Sequence, residues 1–149
     1  MLTIKNLKKT YSNGVKALND ISLDIPKGMF GLLGPNGAGK SSLMRTLATL
    51  QEPDDGSAQL DDIDIINNKD TLRKVLGYLP QEFGVYPRVS PELMLDHLAT
   101  LKGVTRKGER RETVDALLHQ TNLYDVRKKS IDTFSGGMKQ RFGIAQALI

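Results

Sequence analysis

The residues best equipped for chemistry lie between positions 34 and 42. Gly34-Pro35-Asn36-Gly37-Ala38-Gly39-Lys40-Ser41 satisfies G-x-x-x-x-G-K-[ST], the pattern of a phosphate-binding loop, and Ser42 follows it. Its glycines permit positive φ, so backbone N–H groups can turn inward around a phosphate. Lys40 adds a mobile cation for the outer phosphate oxygens. Ser41 offers a hydroxyl to a Mg²⁺ that keeps water and phosphate oxygens as its other ligands. Such loops serve ATPases, GTPases and small-molecule kinases, so this one gives nucleotide binding without naming a reaction. A guanine-reading N-K-x-D is absent, because Asn68-Lys69-Asp70-Thr71 carries threonine where the aspartate belongs.

A second constellation is Ser135-Gly136-Gly137. A capping hydroxyl and two N–H groups free of side chains, at the positive end of a helix, form an anion site. The plainer alternative is an ordinary N-cap after a turn. Other candidates carry less. His97 and His119 have no second ligand at metal spacing, and Met29, Met44, Met94 and Met138 read as core filler.

These groups need elements to hold them. Leu2 to Leu7 alternates until Asn6 breaks the phase, and Ile21, Leu23, Ile25 alternate before Pro26 and Gly28; both read as half-buried antiparallel strands. Met29 to Leu33 and Val75 to Leu79 are short apolar runs suited to a parallel sheet, with a helix over Ser41 to Leu50 between them. Pro53-Asp54-Asp55-Gly56 signals a turn. Beyond about residue 90 the period becomes helical. Ser90 caps a helix with Pro91 at its first position and Gly103 past its end, Val114, Leu117 and Leu118 mark another, Thr121 can cap a short one through Asp125, and Ser135 one to the C-terminus. The expected division is a nucleotide-binding core over 1–89, with a β arm and the phosphate loop, and an α-helical subdomain over 90–149.

Composition sets the outer bounds. The 149 residues are 39% hydrophobic and 26% charged, as in a soluble globular domain, with no apolar run long enough to cross a membrane and no leader pattern after Met1. The expectation is a cytosolic protein. Without cysteine, thiol catalysis and thiolate metal sites are excluded. A net charge of +4 does not argue for nucleic acid, and the basic residues Lys102, Arg106, Lys107, Arg110, Arg111, Arg127, Lys128 and Lys129 have no aromatic residues interleaved as a stacking platform needs.

With these motifs in place the chain resembles the ATP-binding cassette family, the nucleotide-binding subunits of ABC transporters. Four segments match in order over nearly the whole chain: Tyr11, Gly34 to Ser42, Tyr78-Leu79-Pro80-Gln81-Glu82, and Ser135-Gly136-Gly137-Met138-Lys139-Gln140-Arg141. The resemblance implies an α/β, P-loop NTPase-type mixed sheet with an N-terminal antiparallel β arm and an α-helical subdomain. It implies that Tyr11 stacks on adenine, that Gln81 contacts Mg²⁺ and the attacking water, and that ATP is sandwiched between one protomer's phosphate loop and the Ser135-Gly136-Gly137 of a second ATP-binding subunit. Taken singly, Tyr11 fits equally well as an aromatic packing on the β arm, and Gln81 as a loop residue. Phe134 and Met138 depart from the commonest signature, at positions that usually carry leucine and glutamine, and the phrasing around Gln81 and Met138 looks most like exporter-type subunits.

The resemblance further implies a membrane transport domain as partner, a position on the inner face of the cell membrane, and no nucleic acid. The family's catalytic strand, an apolar run ending in Asp-Glu, would follow the signature helix, and Leu93-Met94-Leu95-Asp96 and Leu60-Asp61-Asp62 are poor substitutes for it. The chain is therefore expected to be an N-terminal part of a longer cassette, incomplete at the C-terminus and inactive in hydrolysis alone. Two other classes remain: a soluble ABC-type ATPase acting on DNA or the ribosome, and a small-molecule phosphotransferase, which should lack the Ser-Gly-Gly site.

Overall fold

A computed structural model describes residues 1–79 and 88–149. They form two compact units, Met1–Leu76 and Gly77–Ile149.

The first unit is built on four antiparallel strands: β1 (Leu2–Thr10), β2 (Lys16–Ile25), β3 (Asp55–Leu60) and β4 (Ile63–Asp64), in the spatial order β2-β1-β3-β4. The phase break at Asn6 is a β-bulge. Ile4 pairs with Leu23 but Leu7 with Ile21, so β1 advances by one residue more than β2. Asn6 sits at φ +49°, a conformation asparagine tolerates, and donates its side-chain amide to Asp20 Oδ1 (3.0 Å) and its backbone N–H to Ser22 Oγ (2.9 Å). The extra residue returns Leu7 to the face of Ile4, and both are buried. Without it Leu7 would face water and forfeit about 1.5–3 kcal/mol. Gly56 faces this bulge across the β1–β3 pair, and a Cβ there would stand 2.4 Å from the Asn6 carbonyl oxygen.

Helices α1 (Lys40–Leu47) and α2 (Lys69–Val75) complete this unit and lay Leu43 and Leu72 on a core of Ile4, Leu7, Leu18, Ala58 and Ile65. Helix α1 stops short of the expected Leu50 because Thr49 takes φ +59° and turns the chain back. The turn read at Asp55-Gly56 is instead the start of β3, drawn into the sheet by pairing with β1.

Two expectations are corrected. Met29 to Leu33 and Val75 to Leu79 are not strands: Val75 ends α2, and neither run has a ladder partner among the described residues. A buried-looking apolar run becomes a strand only where a neighbouring backbone answers its N–H and C=O groups. Met29, Leu33 and Val75 are accordingly exposed.

The second unit is helical: α3 (Pro91–Leu101), α4 (Lys107–Gln120) and α5 (Gly136–Leu148). Ser90 caps α3 as expected, its Oγ accepting the Leu93 N–H at 3.3 Å with Pro91 at the first helical position, and Gly103 follows its end at φ +94°. Leu95, Leu118, Leu123, Ile131, Phe134 and Phe142 form the centre of its core. Thr121 does not cap a helix. It closes α4, its hydroxyl donating to the Leu117 carbonyl at 2.8 Å, and the segment after it is a single 3₁₀ turn, Tyr124–Val126. Gly77 lies so close to α5 that a Cβ would come 2.2 Å from the Ala147 carbonyl oxygen. Among the described residues no helix is long and apolar enough to cross a membrane.

Candidate functional site

The glycines of the loop before α1 do what their type allows. Gly34, Gly37 and Gly39 stand at φ +156°, +84° and +83°. Gly39 is the left-handed N-cap of α1 and supplies no side-chain cap, so the first N–H groups of the helix have no capping side chain. A Cβ at Gly39 would lie 2.1 Å from the Ala17 carbonyl oxygen, so the loop rests directly on β2 there. Within the loop Ala38 N–H donates to Pro35 O at 3.3 Å.

Lys40 folds back over this loop. Its Nζ donates to the carbonyl oxygens of Gly34 and Pro35, both at 2.6 Å, which leaves the ammonium a third donor to spare. The residues Gly34, Pro35, Asn36, Gly37, Ala38 and Ser41 are exposed. Glycines at positive φ, a helix N-terminus and a lysine ammonium are the components from which a backbone anion nest is built.

Ser41 lies on the first turn of α1, exposed, with a hydroxyl as its only donor group of use to a hard cation. Among the described residues no group of three or more His, Cys, Asp or Glu side chains could hold a metal. This donor set fits a Mg²⁺ that arrives with phosphate oxygens and water, and it does not fit a resident metal held by protein alone.

Ser42 points elsewhere. It is buried, and its Oγ lies 2.9 Å from the Tyr11 hydroxyl, which also contacts Gln51 Oε1 at 3.1 Å. Tyr11 is thereby tied to α1 while 38% of its surface remains exposed. Its backbone is held as well: Tyr11 N–H donates to Val15 O (2.9 Å) and Gly14 N–H to Tyr11 O (2.8 Å). Just before it, Asp54 accepts Lys9 Nζ at 2.8 Å and the Thr10 N–H at 2.5 Å; these bonds hold its carboxyl below the usual carboxylate range. Gln51 belongs to no motif, and only the reversal of the chain at Thr49 reveals its part.

In the second unit Ser135 is the N-cap of α5, its Oγ accepting the Met138 N–H at 3.3 Å. Ser135, Gly136 and Gly137 are exposed, and no atom approaches within 4 Å of a Cβ position on Gly136. Arg141, one turn on, brings a guanidinium nitrogen 4.0 Å from the Cβ position of Gly137. Phe134 is buried in the helical core, so aromatic bulk there is taken up by packing and leaves the Ser-Gly-Gly turn intact. Met94 and Met138 pack with that core, whereas Met29 and Met44 are exposed. His119 stacks on Tyr124 with ring centroids 3.8 Å apart. Gln81 lies outside the described residues.

A glycine-rich nest feeding a helix and closed by lysine defines a nucleotide phosphate-binding fold. The chain belongs to the ABC transporter family, whose model matches residues 18–149. It is 39% identical over 151 residues to the probable multidrug ABC transporter ATP-binding protein YbhF of Escherichia coli (strain K12), covering 100% of this chain and 26% of that protein. It is 34% identical to the doxorubicin resistance ATP-binding protein DrrA of Mycobacterium tuberculosis (strain CDC 1551 / Oshkosh), covering 99% of this chain and 45% of that protein. The chain therefore spans less than half the length of either relative. Among solved structures, the dimeric post-hydrolysis state of the ATP-binding cassette MJ0796 bound to ADP and Pi matches with a TM-score of 0.85 and 29% identity, over 99% of this chain and 69% of that one. The α/β class expected from the sequence is thus that of an ABC ATPase cassette.

Proposed function

We propose that the protein is the ATP-binding subunit of an ABC transporter and couples binding and hydrolysis of Mg-ATP to transport across a membrane. The observation that carries this reading is the loop itself: glycines at positive φ, a helix N-terminus behind them and the Lys40 ammonium arched over both. Backbone N–H groups of the loop and of Ser41 and Ser42 hold the phosphates, Lys40 the outer oxygens, and the exposed face of Tyr11 the base. Magnesium bound by Ser41 and Gln81 would neutralise charge on the phosphates. Gln81 is assigned the positioning of water. Residues 1–89 act as the nucleotide-binding core and 90–149 as the helical subdomain carrying the signature.

In this reading Ser135, Gly136 and Gly137 meet the nucleotide of a second ATP-binding subunit, and the pair works from the cytoplasm on a membrane transport domain. The dimeric state of the solved cassette supports the pairing. The multidrug name of YbhF and the doxorubicin-resistance name of DrrA support an exporter, although relatives 36% identical over the whole chain are named for phosphonate import. Against a nucleic-acid target, three of the eight basic residues named above are engaged by carboxylates within the unit: Arg110 by Asp96 (2.7 Å), Arg111 by Asp115 (3.8 Å) and Arg127 by Glu92 (3.9 Å).

The test is dimerisation. Ser135→Arg puts bulk and charge where the second nucleotide would seat, so light scattering of the full-length protein with a non-hydrolysable ATP analogue should show monomers for the variant and dimers for the parent. A variant that dimerises normally contradicts the sandwich.

A further inference from the structure

The hydrogen bonds around Ser42 have only one consistent direction. Gln51 Oε1 cannot donate, so the Tyr11 hydroxyl proton goes to it (3.1 Å), and the Ser42 hydroxyl must then donate to the Tyr11 oxygen (2.9 Å). The two N–H groups of Gln51 go to Ser42 O and Thr46 Oγ1, each at 3.0 Å, and the Thr46 hydroxyl donates to Ser42 O at 2.9 Å. Turning the Gln51 amide over would set oxygen against the Ser42 carbonyl, so the assignment is fixed by its partners. Every polar atom of the Gln51 amide is used. One member of this closed set, Tyr11, comes from the loop between β1 and β2. All the others lie on α1 or just beyond it.

We propose that Gln51 is a positioning residue that fixes the Tyr11 ring relative to the phosphate loop, so that base and phosphates meet one rigid frame. This rests on the reading of Tyr11 as the base-stacking residue. Ser42 is adjacent in sequence to the phosphate-binding backbone, and the Tyr11 hydroxyl is bonded to it directly. Gln51 supplies the second anchor, which stops the ring from swinging about a single hydrogen bond. The Tyr11 backbone is already pinned at both N–H and C=O, so the hydroxyl end is the remaining freedom. Thr49 at φ +59° delivers Gln51 to this place by turning the chain back along α1.

The experiment compares two probes on the full-length protein by calorimetry, Mg-ATP and inorganic Mg-tripolyphosphate, which lacks the base. Gln51→Ala should weaken ATP binding about threefold to tenfold and leave tripolyphosphate unchanged. Tyr11→Phe repeats the test without touching α1 and should give the same loss, and the double variant should lose no more than about twofold beyond either. Equal losses for both probes would mean that Gln51 only holds α1 together, and unchanged ATP binding would mean that it positions nothing; either result overturns the proposal. Tyr11→Ala separates it from the reading beneath. If that variant loses ATP affinity while Gln51→Ala does not, stacking stands and the Gln51 role falls. If Tyr11→Ala keeps the parent's ratio of the two affinities, the stacking reading fails and takes this inference with it.

Discussion

The loop before α1 and the start of α5 are both glycine turns that lead into a helix N-terminus, and they are built in opposite ways. At the phosphate loop the glycines adopt positive φ, the cap is backbone alone, and Lys40 closes the ring over Gly34 O and Pro35 O. At α5 neither Gly136 nor Gly137 has positive φ, and Ser135 caps the helix with its side chain. The first is an exposed loop whose backbone shape depends on glycine. The second is an open helix end where glycine serves to let something approach. The proposed pairing assigns the two turns to opposite sides of one nucleotide.

Substituting alanine at each site tests this contrast. Gly39→Ala forces a β-carbon to 2.1 Å from the Ala17 carbonyl oxygen at φ +83°, so it should destabilise the first unit by roughly 2–5 kcal/mol in a denaturant titration. A neutral result would show that the loop does not rest on β2. Gly136→Ala meets open space on a helical backbone and should leave stability unchanged or raise it by up to about 1 kcal/mol. Loss of stability there would mean that α5 begins in a conformation only glycine allows.

The smallest effect separates the units by their response to acid. Lysine and backbone N–H partners hold the carboxyls of Asp54 and Asp55 below their ordinary values, with Lys9 the main partner of Asp54 and Lys8 of Asp55. Groups whose folded pKa is depressed contribute stability above their unfolded pKa and lose it as pH falls through the folded value. Below about pH 4 the β1 and β3 amides beside these pairs should therefore lose hydrogen-exchange protection before those of α4, and both pairs are exposed, so the change should be modest. Simultaneous loss would show that these pairs do not hold the β1–β3 ladder together.

Much of this was legible in the residues. The phosphate loop could be read because its chemistry requires particular types at fixed spacing. Asn6 showed as a broken alternation, which is what a bulge is, and Ser90-Pro91 showed as a cap. Helix α2 did not show, since seven residues with one buried side chain, Leu72, carry no period to detect. Strand β3 buries only Ala58 and owes its place to pairing with β1 and to the Asp54 and Asp55 contacts. The runs at 29–33 and 75–79 misled for the converse reason: apolar character says that a segment can be buried and does not say that a neighbour pairs with it. Gln51 was invisible because its role comes from a left-handed turn at Thr49, a residue whose branched side chain argues against that turn.

The central claim is that the loop of Gly34 to Ser42 binds the phosphates of ATP and that Lys40 is its cation. Calorimetry of Mg-ATP binding to the full-length protein and to its Lys40→Ala variant tests this most directly. Loss of a charge-assisted bond of roughly 1.5–3 kcal/mol should weaken binding by about tenfold to a hundredfold, while equal affinity in the two proteins would contradict it.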